Sequence, residues 1–224
     1  MHTPLKYELH HQTFWLSAER CIFWERRKSL IVSDLHFGKT GHFRKSGIAV
    51  PPSVYKEDLQ RLVQQIQFFN AEELIVVGDL FHSRENKELE LFLKWRNDLS
   101  WLIIKLIKGN HDILQKNWYQ EADIEVFDDC LTIDAFTFIH DINACEDSSQ
   151  YFFTGHIHPG ISISGIGKQS LKFPCFYFGR NYAVLPAFSR FTGLAMIDPD
   201  EGEDVFAIIP SNPLKGERGS LMKL

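Results

Sequence analysis

Three short apolar segments in the first half of the chain constrain its fold more than any other feature. They are Ser29 to Ser33 (SLIVS), Glu73 to Val77 (ELIVV) and Leu102 to Ile107 (LIIKLI). Continuous apolar runs of this length indicate strands that are buried on both faces. The intervening stretches, which begin at Pro51 and Glu85, carry apolar residues at helical spacing. This alternation of strands and helices implies parallel pairing with right-handed crossovers, so the region is predicted to be α/β.

Shorter strands dominate the rest of the chain. Thr13 to Leu16 and Cys21 to Trp24 come before the α/β region, and antiparallel pairing is expected for them. After residue 123, further short strands are predicted at 124–127, 130–133, 136–139, 151–154, 161–164, 173–178, 182–185, 193–197 and 205–209. Residues 211–224 are expected to form a flexible C-terminal tail. Residues 1–210 are then one domain of two stacked mixed sheets with helices outside.

Composition excludes several classes of protein. The 224 residues are 44% hydrophobic and 24% charged, which is ordinary for a globular protein, and no apolar run approaches membrane-spanning length. The net charge of -5 argues against a large non-specific footprint on nucleic acid. The four cysteines show no CxxC spacing, so zinc-finger and redox motifs are not indicated. Without a signal-like N-terminus, a cytoplasmic location is expected, with no membrane partner.

Five predicted strands end in Asp, Asn or His. The three apolar segments run into Asp34-Leu35-His36, Gly78-Asp79 and Gly109-Asn110-His111-Asp112. Two later strands run into His140 and into Gly155-His156-Ile157-His158. Carboxylate oxygen and imidazole nitrogen bind divalent metals, and ligands collect at the carboxyl ends of parallel strands. A single DxH or HxH pair arises easily by chance, but the ordered set of five predicts a metal centre.

The spacing within the motifs suggests how the side chains are presented. Asp34 and His36 lie two residues apart, as do His156 and His158, so an extended backbone would place each pair on one side. The preceding glycines, Gly78 and Gly155 among them, would allow close approach of neighbouring groups.

The ordered motifs DLH, GDLF, GNHD, a strand-end His and GHIHP resemble those of the calcineurin-like metallophosphoesterases over most of the chain. The resemblance implies a four-layer αββα sandwich with two metals. It assigns Asp34, His36 and His158 to one metal, Asn110, His140 and His156 to the other, and Asp79 to a bridge. His111 would face the scissile phosphate, either donating a proton to the leaving oxygen or stabilising charge, and Asp112 would orient it.

Two-metal chemistry is consistent with this ligand set. Such ions lie about 3.5–4 Å apart, and a water bound to both is hydroxide-like near neutral pH and can attack phosphorus. Mixed nitrogen and oxygen ligation without thiolate favours manganese, iron or zinc over calcium, and manganese is the expected metal. The predicted activity is hydrolysis of a phosphate ester.

A narrower resemblance lies outside the ligands. Residues 34–51, GDLFHSR at 78–84 and PCFYFGRNYAVLPAFSRFTG at 174–193 are similar to the PdeM branch, the ligase-associated DNA damage response endonucleases. GDLFH also resembles the SbcD-type repair nucleases. The resemblance implies a phosphodiesterase or endonuclease acting on DNA in repair, with a DNA ligase, a helicase and an exonuclease-like protein as possible partners.

Several residues near the motifs could contact such a substrate. Lys39, His42 and Arg44 could bind neighbouring phosphates, or form an ordinary solvated loop. His82 and Arg84 could bind substrate, and His82 could instead lean on His111 or serve as a surface residue. Some aromatic rings could stack on bases, although core packing is the simpler interpretation for any one of them: Phe37, Phe43, Phe81 and Tyr177.

Two other functions remain open. The enzyme could be a phosphodiesterase or phosphatase for small esters such as cyclic nucleotides, which a closed pocket at the metals would favour over an open basic groove. The chain could also be chiefly a binding subunit that recruits repair partners. A complete ligand set argues against a purely structural role, because unpaired buried carboxylates and imidazoles are costly without metal.

Overall fold

The computed structural model describes residues 3–38, 53–82, 87–144, 150–165, 169–211 and 218–224. Two mixed β-sheets stack on each other. The first has seven strands among the described residues, in the spatial order β1 (Leu5–Leu9), β2 (Gln12–Ser17), β3 (Cys21–Trp24), β4 (Ser29–Val32), β5 (Glu73–Val77), β6 (Ile103–Ile107) and β7 (Ile124–Phe127). Strands β1 to β4 are antiparallel, whereas β4 to β7 are parallel to one another.

The second sheet is formed by the later strands. In chain order they are β8 (Cys130–Ile133), β9 (Phe136–Ile139), β10 (Tyr151–Thr154), β11 (Pro159–Ser164), β12 (Ser170–Phe178), β13 (Tyr182–Val184), β14 (Ala195–Met196), β15 (Asp204–Ile209) and β16 (Ser220–Lys223). Their spatial order is β14-β11-β12-β13-β10-β9-β8, with β15 paired to β12 and to β16. Strand β10 lies parallel to both β9 and β13, so these three strands end at the same edge.

The side-chain alternation of the central strands explains the stacking. In β4, Leu30 and Val32 face one apolar cluster, while Ile31 between them faces another. The first cluster packs against three helices, α1 (Ser53–Phe69), α2 (Lys87–Asp98) and α3 (Lys116–Glu121). The second is an aromatic-rich core between the sheets, built around Phe14, Trp24 and Phe136. Because alternate side chains of a strand point to opposite faces, each central strand contributes residues to both apolar clusters.

The predicted sandwich of two stacked mixed sheets is confirmed. The described helices pack on the first sheet, and Ile142 of the 3-10 turn Ile142–Ala144 lines a cavity with Tyr177 and Val184 of the second sheet. Beside this turn, Cys175, Tyr177, Val184 and Val205 form a small separate apolar cluster. Among the described residues, no helix combines the length and apolarity needed to cross a membrane.

The sequence-based prediction missed three elements. It did not identify β1, the short helix α3 or β16. The expectation of a flexible tail is wrong for residues 220–223, because β16 pairs antiparallel with β15 from Phe206↔Lys223 to Ile209↔Ser220. The glycine and charged residues that precede β16 in the sequence are typical of a loop. The edge of β15, however, provides partners for the backbone hydrogen bonds of residues 220–223.

Candidate metal centre

Backbone hydrogen bonds join the loops that follow β4 and β5. Asp34 N donates to Gly78 O at 3.1 Å, and His36 N donates to Asp79 O at 2.8 Å. Further along, His82 N donates to Phe37 O at 2.8 Å. The parallel pairing of the two strands thus continues into the motifs. It holds Asp34 and Asp79 side by side, with both residues almost completely buried.

The predicted ligand residues have an unusual backbone conformation. Asp34, His36 and Asp79 have φ values of 53°, 50° and 53°, and His156 and His158 have 69° and 52°. The expectation that extended backbone presents each pair is therefore wrong. Left-handed conformations are uncommon for residues other than glycine and concentrate at functional sites, where the surrounding structure enforces them.

Three donor atoms from both sheets converge at one point. His158 Nε2 lies 3.2 Å from Asp34 Oδ1 and 3.4 Å from His36 Nε2, and His36 Nε2 lies 3.9 Å from Asp34 Oδ1. For metal–ligand bonds of about 2.0–2.2 Å, ligand atoms on one ion lie roughly 3–3.5 Å apart. Asp34, His36 and His158 can therefore share one metal ion after small adjustments.

A second group of donors surrounds Asp79. Its Oδ2 lies 3.5 Å from His140 Nε2 and 3.9 Å from His36 Nδ1. Asp34, Asp79 and His140 form a second cluster whose donor atoms can reach a common ion. The Asp79 carboxylate thus lies between a histidine of the first cluster and a histidine of the second, and Asp34 belongs to both clusters.

The remaining predicted ligands lie beside this second cluster. Asn110 and His156 line one cavity of about 480 Å³ together with His140. The His140 and His156 rings are 5.1 Å apart and nearly perpendicular. The Asn110 side chain is exposed to this cavity, and His156 is half-buried. Asn110, His140 and His156 therefore line the same cavity, and their binding of a common ion stays a prediction.

The electrostatics of the centre fit a bound cation. Burial opposes the charge of Asp79, but His140, the His111 N–H and His36 outweigh it and lower the pKa of Asp79 to about 2. Burial also opposes a charge on His140, yet contact with Asp79 and the charge of Asp34 raise the pKa of His140 to about 9. A proton on His140 thus offsets two buried carboxylates, and a divalent cation can take over that role. Asp34 Oδ1 and His140 Nε2 are buried without a hydrogen bond in the described part, as open ligand positions require.

His111 lies at the rim of the centre. Its side chain is 43% exposed, and its Nε2 is 3.9 Å from Asp79 Oδ2. The backbone N–H of His111 donates to Asp79 Oδ1 at 2.9 Å, which fixes the residue against the predicted bridge. The His82 ring packs on the His111 ring with centroids 4.3 Å apart. Of the roles considered for His82, contact with His111 is the one that the structure shows.

Comparison with known proteins identifies the family. The calcineurin-like phosphoesterase profile matches residues 27–211, most of the chain. The chain belongs to the calcineurin-like phosphoesterase family. Members of this family use a dinuclear metal site, so the chain is a metal-dependent phosphoric ester hydrolase, and the two clusters are candidate ligand groups for such a site.

Two solved structures are similar to this phosphoesterase. The Pseudomonas putida nuclease MPE shares 28% sequence identity with a TM-score of 0.79, over 92% of this chain and 96% of that chain. YfcE, a phosphoesterase from E. coli, shares 12% identity with a TM-score of 0.43 over 88% of this chain and 97% of that one. A search of curated proteins gave no match.

Asp112 of this phosphoesterase does not have the contact that the sequence suggested. Its two oxygens accept hydrogen bonds from Phe81 N at 3.1 Å and Gly109 N at 2.9 Å, and neither bonds the His111 ring. The expected orientation of His111 by Asp112 is thus corrected: Asp112 fastens the loop after β6 to the loop after β5. Burial raises the pKa of Asp112 to about 7, although both N–H groups oppose that rise.

Sequence reasoning missed Ser33 as a support of the centre. Its hydroxyl lies 2.6 Å from Asp34 Oδ2 and 2.7 Å from Val77 O, so it can donate to the ligand carboxylate or to the neighbouring strand. A Cβ on Gly155 would lie 1.8 Å from Ser33 Oγ, and a Cβ on Gly78 would lie 2.0 Å from His140 Nδ1. Both positions therefore require glycine, because any side chain there would overlap Ser33 or His140. The sequence feature that could have identified this support is a serine directly before the DLH motif.

The late PAFSR segment explains part of the narrower resemblance. Ala187 forms an isolated parallel β-bridge with Ser33. In addition, Phe188 N donates to Ser33 O at 2.8 Å, and Ser189 N donates to Asp34 O at 3.2 Å. Buried Arg61 donates to Phe188 O at 2.5 Å, and its guanidinium lies 3.9 Å from the Phe188 ring centroid. This segment fixes the backbone of the first metal motif from the opposite sheet.

The predicted substrate contacts are only partly visible. Lys39, His42, Arg44 and Arg84, together with Phe43, lie outside the described residues. Phe37 and Phe81 are fully packed in the core beneath α2, so stacking on a base is wrong for them. Tyr177 instead lines a cavity next to His156.

Proposed function

We propose that this phosphoesterase is a manganese-dependent phosphodiesterase that cleaves DNA as an endonuclease in repair. The similarity to the Pseudomonas putida nuclease MPE carries the proposal, because it extends over 92% of this chain at 28% identity. The PdeM-like segments outside the ligands support it independently. A ligase, a helicase and an exonuclease-like protein remain predicted partners on the same resemblance.

We assign the ligands as the sequence predicted. Asp34, His36 and His158 would hold one ion, and their donor separations of 3.2–3.9 Å support this. Asn110, His140 and His156 would hold the other. Asp79 would bridge, in keeping with the position of its Oδ2 between His36 and His140. Nitrogen and oxygen donors favour manganese, with iron or zinc as alternatives.

The protein residues then have separate roles in ester cleavage. The chemistry that two divalent ions supply in such a centre is Lewis-acid stabilisation of the phosphate and a lowered pKa of water. His111, exposed at the rim and fixed through its N–H, can donate a proton to the leaving oxygen of a strand. His82 restricts the rotation of the His111 ring by packing on it. Asp112 keeps the two loops in register.

The described walls of the centre do not by themselves select a polynucleotide. The cavity beside Asn110 contains Lys108, but this lysine is paired with Asp128 at 3.0 Å, and Asp129 and Asp141 also line the cavity. A cavity of about 480 Å³ is within the roughly 300–1,000 Å³ typical of small-molecule sites. A phosphodiesterase or phosphatase for small esters such as cyclic nucleotides is therefore the second candidate.

A comparison of substrates distinguishes the two candidates. Purified protein is loaded with manganese and incubated with single-stranded, linear and nicked DNA, cyclic nucleotides and bis-p-nitrophenyl phosphate. We expect metal-dependent cleavage within DNA strands that exceeds the turnover of cyclic nucleotides. Asp79→Asn should lose this activity, and Asp98→Asn, the same change at an exposed site on α2, should keep it. Turnover of cyclic nucleotides alone, with intact DNA, would overturn the nuclease proposal.

A further inference from the structure

A second cavity opens directly beside the metal centre. We call it the side cavity; its volume is about 270 Å³, and its walls include Tyr177, Tyr182, Val184, Ile197, Asp141 and Asp198. His156 also lines it, as it lines the cavity that contains Asn110 and His140. Asp141 likewise belongs to both walls. A ligand whose phosphate reaches the metals can therefore place an attached group in the side cavity.

The walls of the side cavity are suited to a flat ring. Tyr177 is buried, Tyr182 is half-buried, and their ring centroids are 5.6 Å apart. Tyr177 and Val184 belong to the small apolar cluster on the outer face of the second sheet, separate from the core between the sheets. Aromatic side chains at the surface of a nuclease bind bases by stacking, which is sequence-tolerant because every base has a π-face.

The charge of the side cavity excludes a phosphate as its occupant. Its polar side chains are Asp141, Asp198, Thr154, His156 and the two tyrosine hydroxyls, and no lysine or arginine is among the described residues that line it. Asp141 is held by Asn143, whose N and Nδ2 donate to its Oδ1 at 3.0 and 2.9 Å. Carboxylates repel anions and accept hydrogen bonds from the N–H groups of base edges.

We propose that the side cavity binds the nucleobase adjacent to the scissile phosphate, and that Asp198 favours a base with amino and imino N–H donors, guanine foremost. This inference rests on the proposed nuclease function and names a subsite for it. The volume suits a single base, since it is slightly below the roughly 300–1,000 Å³ of typical small-molecule sites. Guanine presents two neighbouring N–H donors, which match the two oxygens of a carboxylate.

Kinetics on matched esters test the proposal in the manganese-loaded enzyme. The substrates are the p-nitrophenyl esters of deoxyguanosine and thymidine 5′-monophosphate and, as a base-free reference, bis-p-nitrophenyl phosphate. Tyr182→Ala is expected to raise KM on the nucleoside esters about tenfold relative to the reference, the loss of one stacked base. Tyr182→Phe keeps the ring and should retain the wild-type ratio. Leu171→Ala, an exposed change on β12 outside the cavity, is the matched control.

Each outcome has a defined meaning. The subsite would be overturned if the wild-type enzyme had the same KM for the nucleoside esters as for the base-free ester. It would also be overturned if Tyr182→Ala raised KM equally on both kinds of ester. Asp198→Asn should reduce the preference for the deoxyguanosine ester over the thymidine ester, and an unchanged preference would overturn the role of that carboxylate. If DNA stays intact while nucleoside esters show the base effect, the nuclease proposal fails and the base subsite stands. Thermal unfolding of each variant checks that it is folded.

Discussion

The two sheets contribute different chemistry to the metal centre. The first sheet supplies both carboxylates, Asp34 and Asp79, which are 0% and 2% exposed. The second sheet supplies imidazoles, and of these His158 is 18% exposed at its side chain. A buried carboxylate requires far more compensation than a neutral imidazole, because the interior disfavours charge.

Backbone N–H groups and a hydroxyl from both sheets provide that compensation. Asp34 Oδ2 accepts from His156 N at 3.1 Å and lies beside the Ser33 hydroxyl, and Asp79 Oδ1 accepts from His111 N. Histidines of the second sheet depend on the first: the His140 Nδ1 lies 3.0 Å from Val77 O. The two carboxylates are thus held by hydrogen bonds from both sheets, and His140 of the second sheet is oriented against a strand of the first.

The largest expected effect comes from the carboxylate between the two clusters. Asp79→Asn should abolish turnover and weaken metal binding at both positions, because the lost charge is shared by both ions. His158→Gln, from the second sheet, should weaken only the metal held with Asp34 and His36. Metal content after dialysis measures both variants. Two tightly bound metals and normal turnover in Asp79→Asn would refute the bridging role. The expected contrast, in which the first-sheet variant loses both metals and the second-sheet variant loses one, would then also fail.

His111 should have the next largest effect. His111→Ala is expected to keep both metals and to reduce DNA cleavage by roughly 10²–10⁴, the usual contribution of a general acid. The loss should be small on nitrophenyl esters, whose leaving group needs no proton. Equal losses on both substrates would mean that His111 stabilises charge or positions substrate. A variant without metal would instead make His111 a ligand.

Asp112, in a loop of the first sheet, predicts a pH dependence of the free energy of unfolding. The folded pKa of Asp112 is about 7, well above the ordinary aspartate value of 3.8, so the folded state binds more protons between those values. The stability that this proton contributes is full below about pH 4 and is lost as the pH rises toward 7. Asp112→Asn cannot titrate, so its free energy of unfolding should gain on the wild type by at most roughly 1.4 kcal/mol per pH unit.

Urea unfolding of the metal-free proteins at several pH values measures this difference. A constant gap between the two proteins across the window would contradict the raised pKa of Asp112.

Two hydroxyls give the smallest effects and compare the sheets directly. Ser33→Ala removes a hydroxyl from a predicted ligand carboxylate and should lower metal affinity about 10–100-fold. Thr154→Val removes a hydroxyl that donates only to the His140 backbone carbonyl at 2.7 Å, and its effect on affinity should be smaller. Titration of the metal-free variants with manganese measures both. A larger effect of Thr154→Val would contradict the stronger dependence of metal affinity on the carboxylates of the first sheet.

Local sequence predicted much of the fold and of the site. The central strands and the convergence of Asp34, His36, Asp79 and His140 follow from apolar runs that end in ligand-type residues, because parallel strands bring their carboxyl ends together. The extended conformation expected for Asp34 and His36 was wrong, since hydrogen bonds from the neighbouring loop impose left-handed backbone.

The sequence by itself determined which donor atoms are available and in which order the strands present them. Only the tertiary structure decided which atoms meet: His36 and His158 are 122 residues apart, yet their Nε2 atoms lie within 3.4 Å. It also decided that Asp112 accepts hydrogen bonds from the backbone of two loops and not from the His111 ring. In the same way, it placed Tyr177 and Tyr182 in the wall of a cavity beside His156. The physical reason is that periodicity encodes the face of an element, whereas distances between remote side chains depend on how two sheets stack.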